Sequence, residues 1–219
     1  MRAAFLFDED HARGPRVRRT RDGGEVARVR RTRLRSLRAR SCVILSEGAK
    51  RRSRRTSIKA VLFDRDETLV ADVPFNGDPE RVEVLPEMHA LLDDLRAAGL
   101  KVAVVSNQSG VGRGFITSAQ VDAVNRRIDE LLGPFDGFFV CPHAPEEACE
   151  CRKPKPKLIL DAARALGVEP AACLVVGDRE SDVQAARNAG AVPLKVAGPR
   201  DAVLRLRSRL AREVSGWRR

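Results

Sequence analysis

Lys59-Ala60-Val61-Leu62-Phe63-Asp64-Arg65-Asp66-Glu67-Thr68 is the stretch that decides how this chain is read. A short, unbroken apolar run suits a strand buried on both faces of a parallel sheet. Charges then arrive together and mark the carboxyl end of that strand. The pattern recurs downstream. Lys101-Val102-Ala103-Val104-Val105 reads as a second buried strand, Phe138-Phe139-Val140 as a third and Cys173-Leu174-Val175-Val176 as a fourth. A short last strand is expected near Pro193–Val196. Between these runs the period changes. Met88, Leu91, Leu92 and Leu95 follow Pro86 at helical spacing, and Gly99 stops them. Thr117 and Gln120 make a capping box stapled by Ile116 and Val121. Val121, Val124, Ile128 and Leu131 stripe the helix behind it. Ile159, Ala162, Ala163 and Leu166 mark another helix, closed by Gly167. Two more helices are expected, near Ser181–Ala189 and over 200–213. Strands alternating with helices predict an α/β fold with a doubly wound, mostly parallel sheet.

The charge is laid out unevenly. The 219-residue chain carries a formal +11, yet residues 1–56 hold 18 Lys/Arg against 6 Asp/Glu, leaving 23 against 24 for residues 57–219. A near-neutral body excludes a generally basic nucleic-acid binder. In residues 1–56 apolar residues are sparse and, apart from the short run Cys42-Val43-Ile44-Leu45, show no sustained period, so a disordered Arg-rich extension is expected there. The favoured reading of that stretch is leader sequence upstream of the true start. Its competitor is an arm for nucleic acid or acidic membranes. No apolar run approaches the ~20 residues of a membrane span. Asp8, Glu9 and Asp10 interrupt the first apolar stretch too early for a secretory signal. A cytoplasmic monomer is the expectation.

In doubly wound sheets ligands bind beyond the carboxyl ends of strands, so the residues after each strand carry the chemistry. Asp64, Asp66 and Thr68 follow the first strand, Ser106-Asn107-Gln108-Ser109-Gly110 the second, and Gly177-Asp178 with Asp182 the fourth. Lys153 precedes a helix. Carboxylates at 64, 66, 178 and 182 cannot crowd one crevice without a cation, and an oxygen-only donor set suits Mg²⁺. One carboxylate beside metal and phosphate can attack phosphorus while a second delivers a proton. A separate cluster is Cys141-x-His143 with Cys149-x-Cys151, three of the five cysteines. Three thiolates and one imidazole form the Cys₃His set of a closed structural Zn²⁺ site. Segment 141–151 has little apolar content with which to fold itself. Cys173, inside an apolar strand, reads as core.

Asp64-x-Asp66-x-Thr68, Ser106, Lys153 and Gly177-Asp178-x-x-x-Asp182 resemble, in order and spacing, the four motifs of haloacid dehalogenase-superfamily phosphatases. The likeness covers about residues 58–196. It implies a Rossmann-like fold in which Asp64 is the nucleophile that forms an aspartyl-phosphate. Asp66 would be acid, then base. Asp64, Asp178 and the Asp66 backbone carbonyl would hold Mg²⁺, with Ser106 and Lys153 on the phosphoryl oxygens. Thr68 would support the motif, and Asp182 would orient the lysine or a metal-bound water. The Cys/His loop running into Arg152-Lys153-Pro154-x-Pro156 is similar to that of the zinc-containing heptose-bisphosphate phosphatases and the related histidinol-phosphate phosphatases.

That narrower resemblance implies further contacts. Asp72, Val73, Pro74 and Phe75 would form a loop over the substrate. Asn107, Gln108 and Ser109 would join Ser106 on its phosphate side. Arg152 would recognise it, and Arg179 matches a basic position of the heptose enzymes. Arginine suits bidentate phosphate recognition. The chain also departs from the pattern. Ser106 stands where Thr is usual, Glu67 where Gly is common, and Lys157 replaces a Gly after Pro-x-Pro. Loop 72–78 matches only loosely. Residues 57–219 are expected to be one capless phosphatase domain. Its reaction would be Mg²⁺-dependent hydrolysis of a small phosphate monoester, with heptose 1,7-bisphosphate first. Histidinol phosphate and a polynucleotide 3′-phosphate are the competitors.

Overall fold

A computed structural model describes residues 57–213. The Arg-rich stretch 1–56 lies outside the described residues. Among the described residues five strands and five α-helices follow one another, with three short 3-10 turns between them: β1 (Ala60–Phe63), α1 (Pro86–Ala97), β2 (Lys101–Asn107), α2 (Ser118–Leu132) and β3 (Gly137–Cys141) make the first half. The second half is α3 (Lys157–Ala165), β4 (Cys173–Gly177), α4 (Glu180–Ala189), β5 (Val192–Lys195) and α5 (Pro199–Glu213). The strands form one sheet in the order β3-β2-β1-β4-β5. Every pairing is parallel, where the sequence pattern had asked only for mostly parallel.

Alternation along the strands, invisible as polarity, sorts the side chains into two cores. Val61, Phe63, Val102, Val104, Leu174 and Val176 face α1, α2 and α5, whose Met88, Leu91, Leu92, Leu95, Ile128 and Leu206 are fully buried. Each such leucine contributes about 1.5–3 kcal/mol by leaving water. Ala60, Leu62, Ala103, Val105 and Val175 face α3 and α4. There the helices present Ala162, Ala163, Ala185 and Ala186, small residues that allow close approach to the sheet.

Local signals account for the helix ends. Pro86 opens α1 where no N–H partner exists, and Gly99 beyond its end adopts φ 74°. Thr117 and Gln120 close the expected capping box on α2. Two expectations shift. β2 runs through Ser106 and Asn107 because Val140 and Cys141 of β3 supply their partners. Leu132, rather than Leu131, completes the buried face of α2. Among the described residues no helix is long and apolar enough to cross a membrane.

Candidate active site

Register sets the centre of the site. Phe63 at the end of β1 lies level with Val104 and Val176, so Asp64, Ser106 near the end of β2 and Asp178 after β4 fall at the same end of the sheet. Asp64 comes first, and its N–H donates to the Val176 carbonyl at 2.8 Å. Lys153 arrives from the loop before α3. Its Nζ donates to Asp64 Oδ1 at 2.6 Å, to Asp182 Oδ1 at 2.6 Å and to the Val105 carbonyl at 2.8 Å. An ammonium has three donors, and all three are used. Lys153 is 4% exposed. Burial alone would lower its pKa, but Asp64 and Asp182 outweigh that and hold it above the ordinary value. Asn107 clamps the Lys153 backbone from both sides, donating Nδ2 to its carbonyl at 3.1 Å and accepting its N–H at 3.0 Å. Both halves of the Asn107 amide are therefore spent on holding the lysine.

Asp182 enters from the first turn of α4. Its second oxygen accepts the Arg179 N–H at 3.0 Å, which caps the helix. Gly177 must be glycine here, because a Cβ would lie 2.5 Å from that of Asp182. Asp64, Asp178 and Asp182 each offer a carboxylate oxygen, all within 4.8 Å of one another. Each oxygen of Asp182 already accepts one hydrogen bond, whereas Asp178 Oδ1 accepts none and Asp64 takes the Lys153 bond on Oδ1. Asp178 Oδ1 is buried without a partner, and burial pushes its carboxyl up. Burial likewise raises Asp64 to about 6, against the opposing pull of Lys153. An orphaned oxygen between crowded carboxylates is what a divalent cation would satisfy.

The fourth expected carboxylate does not join this trio. Asp66 is held by Arg65, whose Nε donates to Oδ1 at 3.0 Å and whose Nη2 donates to Oδ2 at 3.1 Å. Gln108 Nε2 donates at 2.8 Å both to Asp66 Oδ2 and to Ser106 Oγ. Arg65 and Asn125, buried partners in this cluster, were not among the expected site residues. Arg65 occupies a variable slot of Asp-x-Asp, and Asn125 lies on an otherwise apolar helix face. That one polar residue in the stripe was the available signal. Thr68 is fully buried and its Oγ1 has no partner.

Around this centre lie the proposed substrate contacts. Asp72, Pro74 and Phe75 are exposed and Val73 half-buried. Phe75 adopts φ 48° and stacks edge-on against Phe115, centroids 4.8 Å apart. It lies over Gly110, where a Cβ would come within 2.8 Å of its ring. Ser109 is half-buried. Arg152 has a buried Nη1 without a partner. Arg179 is exposed, with Nε 3.6 Å from Asp178 Oδ2.

The Cys/His loop closes on itself. Cys141 Sγ lies 3.6 Å from Cys149 Sγ and from His143 Nδ1; Cys151 Sγ lies 3.6 Å from Cys149 Sγ and 3.3 Å from His143 Nδ1. These sulfurs are too far apart for a disulfide at about 2.05 Å. They match the edge of about 3.8 Å that a tetrahedron with Zn–S near 2.3 Å requires. Burial pushes the Cys141 and Cys151 thiols up, whereas at Cys149 burial is outweighed by hydrogen bonds that lower the thiol, so a cation is what would let the first two join it as thiolates. Lys155 Nζ ties the turn by donating to the Cys149 carbonyl at 2.6 Å. The loop also grips the one after β2: Gln108 N–H donates to the Cys141 carbonyl at 2.7 Å and Gly112 N–H to that of Pro142 at 2.8 Å.

The haloacid dehalogenase-like hydrolase profile matches residues 75–190. The chain belongs to the haloacid dehalogenase-like hydrolases. The first Asp-x-Asp motif lies just ahead of the matched segment, and the other three fall within it. Among relatives, the D-glycero-beta-D-manno-heptose-1,7-bisphosphate 7-phosphatase of Helicobacter pylori is 36% identical over 136 residues, 60% of this chain and 79% of that protein. The enzyme of the same name from Escherichia coli is 33% identical over 141 residues, 59% of this chain and 74% of its own length. A crystal structure of D,D-heptose 1.7-bisphosphate phosphatase from B. bronchiseptica, complexed with magnesium and phosphate, superposes with TM-score 0.61 at 32% identity. It covers 74% of this chain and 91% of that one. Among the described residues this hydrolase has its five strands and flanking helices without an inserted cap domain.

Proposed function

We propose that this hydrolase is a phosphomonoesterase that removes a phosphate from heptose 1,7-bisphosphate through an aspartyl-phosphate on Asp64. The observation that carries the reading is Lys153, buried and spent between Asp64 and Asp182 beside an unpartnered Asp178 oxygen. Asp64, Asp178 and the backbone carbonyl of Asp66 would hold Mg²⁺, which would screen the negative charge of the carboxylates and phosphoryl oxygens. The Asp64 carboxylate attacks phosphorus, and the bond from phosphorus to the sugar oxygen breaks. Asp66 gives its proton to that oxygen. In the second half Asp66 takes a proton from water, whose oxygen attacks the phosphoryl group and returns Asp64 as a carboxylate with inorganic phosphate. Ser106 would hold a phosphoryl oxygen, and Lys153 would take one only by giving up one of its three present partners. Asp182 keeps Lys153 in place.

Arg152 Nη1 would meet a phosphate oxygen, and Arg179 would leave Asp178 for the substrate's second phosphate. Asp72–Phe75 would close over the sugar, with Ser109 below. Asn107 contributes by holding the Lys153 backbone, and Gln108 by joining Asp66 to Ser106. Cys141, His143, Cys149 and Cys151 would hold Zn²⁺ that shapes the loop leading into Arg152-Lys153. Thiolate ligands suit a reducing, cytoplasmic setting.

The test is phosphate release by the full chain with Mg²⁺ from heptose 1,7-bisphosphate, histidinol phosphate and a 3′-phosphorylated oligonucleotide. The expected result is kcat/KM for the heptose ester at least about a hundredfold above the others, close to 3 kcal/mol of discrimination. Preference for either competitor overturns the substrate.

A further inference from the structure

The bonds around Asp66 lead back to a side chain outside the phosphate chemistry. Arg65 is 1% exposed, an unusual burial for a guanidinium. It closes a two-point fork on the Asp66 carboxylate at 3.0 and 3.1 Å. Its remaining nitrogen, Nη1, donates to Asn125 Oδ1 at 3.3 Å on the buried face of α2. A planar fork fixes both the position and the plane of a carboxylate, which a lysine cannot do. Each carboxylate oxygen has two lone pairs. On Oδ2 they are filled by Arg65 and by Gln108, whereas Oδ1 keeps one. The Asp66 side chain is 22% exposed, so the crevice can reach it.

We infer that Arg65, braced by Asn125, is a positioning residue that sets the plane of the Asp66 carboxylate and leaves Oδ1 as the atom that gives up and takes back the proton. The inference rests on the proposed role of Asp66. Arg65 acts only through that carboxylate. Gln108 serves the same plane from the other side while holding Ser106.

Leaving-group dependence separates this role from a general contribution to folding. Heptose 1,7-bisphosphate loses an alkoxide that must be protonated, whereas p-nitrophenyl phosphate loses a phenolate that departs unaided. The kcat/KM of the full chain with Mg²⁺ is measured on both esters for Asp66→Asn, Arg65→Lys, Asn125→Ala and the Asp66→Asn/Arg65→Lys pair. Asp66→Asn is expected to lose about 10²–10³-fold on the sugar ester and only a few-fold on the aryl ester. Arg65→Lys follows the same split at about 10–10²-fold, and Asn125→Ala more weakly. The double variant is no slower than Asp66→Asn alone, because the fork then has nothing to position.

Equal losses of Arg65→Lys on the two esters, or an additive loss in the double variant, overturn the inference. If Asp66→Asn is selective and Arg65→Lys is not, the inference alone falls. If Asp66→Asn is itself unselective, the role of Asp66 falls and takes the inference with it.

Discussion

The crevice and the Cys/His loop are both knots of ionisable side chains, and they stand in opposite relations to the fold. In the crevice the scaffold carries the knot. Strand ends and the first turn of α4 force Asp64, Asp178 and Asp182 within 4.8 Å. The strain of that arrangement shows in Asp64, raised to about 6, and in the unpartnered Asp178 oxygen. In the loop the knot carries the scaffold. Between 141 and 151 only Cys141 and Ala144 are buried apolar residues, too few to order eleven residues by themselves. Charge in the crevice opposes folding and serves chemistry. A metal-bound loop would favour folding and serve chemistry only by placing Arg152 and Lys153.

The strongest way to break this contrast is Asp64→Asn. Turnover should fall about 10⁴-fold or more, as when a nucleophile is removed, while the fold is relieved. Asp64 sits above its ordinary 3.8, at about 6, so the native state keeps a proton that the unfolded chain releases. Ionising it therefore costs stability as pH rises from about 4 through about 6. Thermal melts in EDTA across that window should show the wild type falling relative to Asp64→Asn, and Mg²⁺ should close the gap. A wild type more stable than the variant at neutral pH without metal would undo the comparison.

Metal removal from the loop should act the other way. Cys151→Ser, or stripping with a strong chelator, is expected to lower stability by about 3 kcal/mol or more. Metal analysis should find one zinc ion lost, and the melt should drop. An unchanged melt with the metal gone would mean that the loop orders itself.

The smallest effect sharpens the contrast rather than testing it. Glu67 adopts φ 55°, a left-handed conformation costly for any residue with a Cβ. Glu67→Gly should raise stability by up to about 1 kcal/mol, partly offset by the freedom glycine gains when unfolded. Activity should not change, which would show how much of the crevice's strain the reaction does not need.

Much of this was legible in the residues themselves. The apolar runs at Ala60–Phe63 and Cys173–Val176 had no polar alternation, which only a doubly covered strand explains. The motif residues followed at the ends where a parallel sheet binds ligands. The Cys/His spacing identified the loop cluster. Glu67 stood out as a departure from Gly, and its positive φ gives that departure a physical meaning. What stayed hidden depended on side-chain direction. Asp66 turns away from the other three carboxylates because Arg65, one residue earlier, reaches round to hold it, and neighbours in sequence carry no spacing signal for that. Asn107 looked like a substrate contact, but its amide faces the Lys153 backbone. Whether β2 stopped at Val105 or Asn107 depended on β3, which lies thirty residues further on.

The position of β1 at the middle of the sheet has a consequence during synthesis. The strand that carries Asp64 is the first described strand to leave the ribosome and acquires β2 soon after on one side. Its other side waits for β4, and Lys153 meets Asp64 only across 89 positions of chain. Until then a nascent chain holds an open, apolar strand edge, the kind of surface on which chains pair wrongly with each other. The chemistry cannot begin in that interval either, because Asp178 and Asp182 follow β4 in the chain. Hydrolysis in a translating extract would therefore report a chain in which β1 has gained its second neighbour.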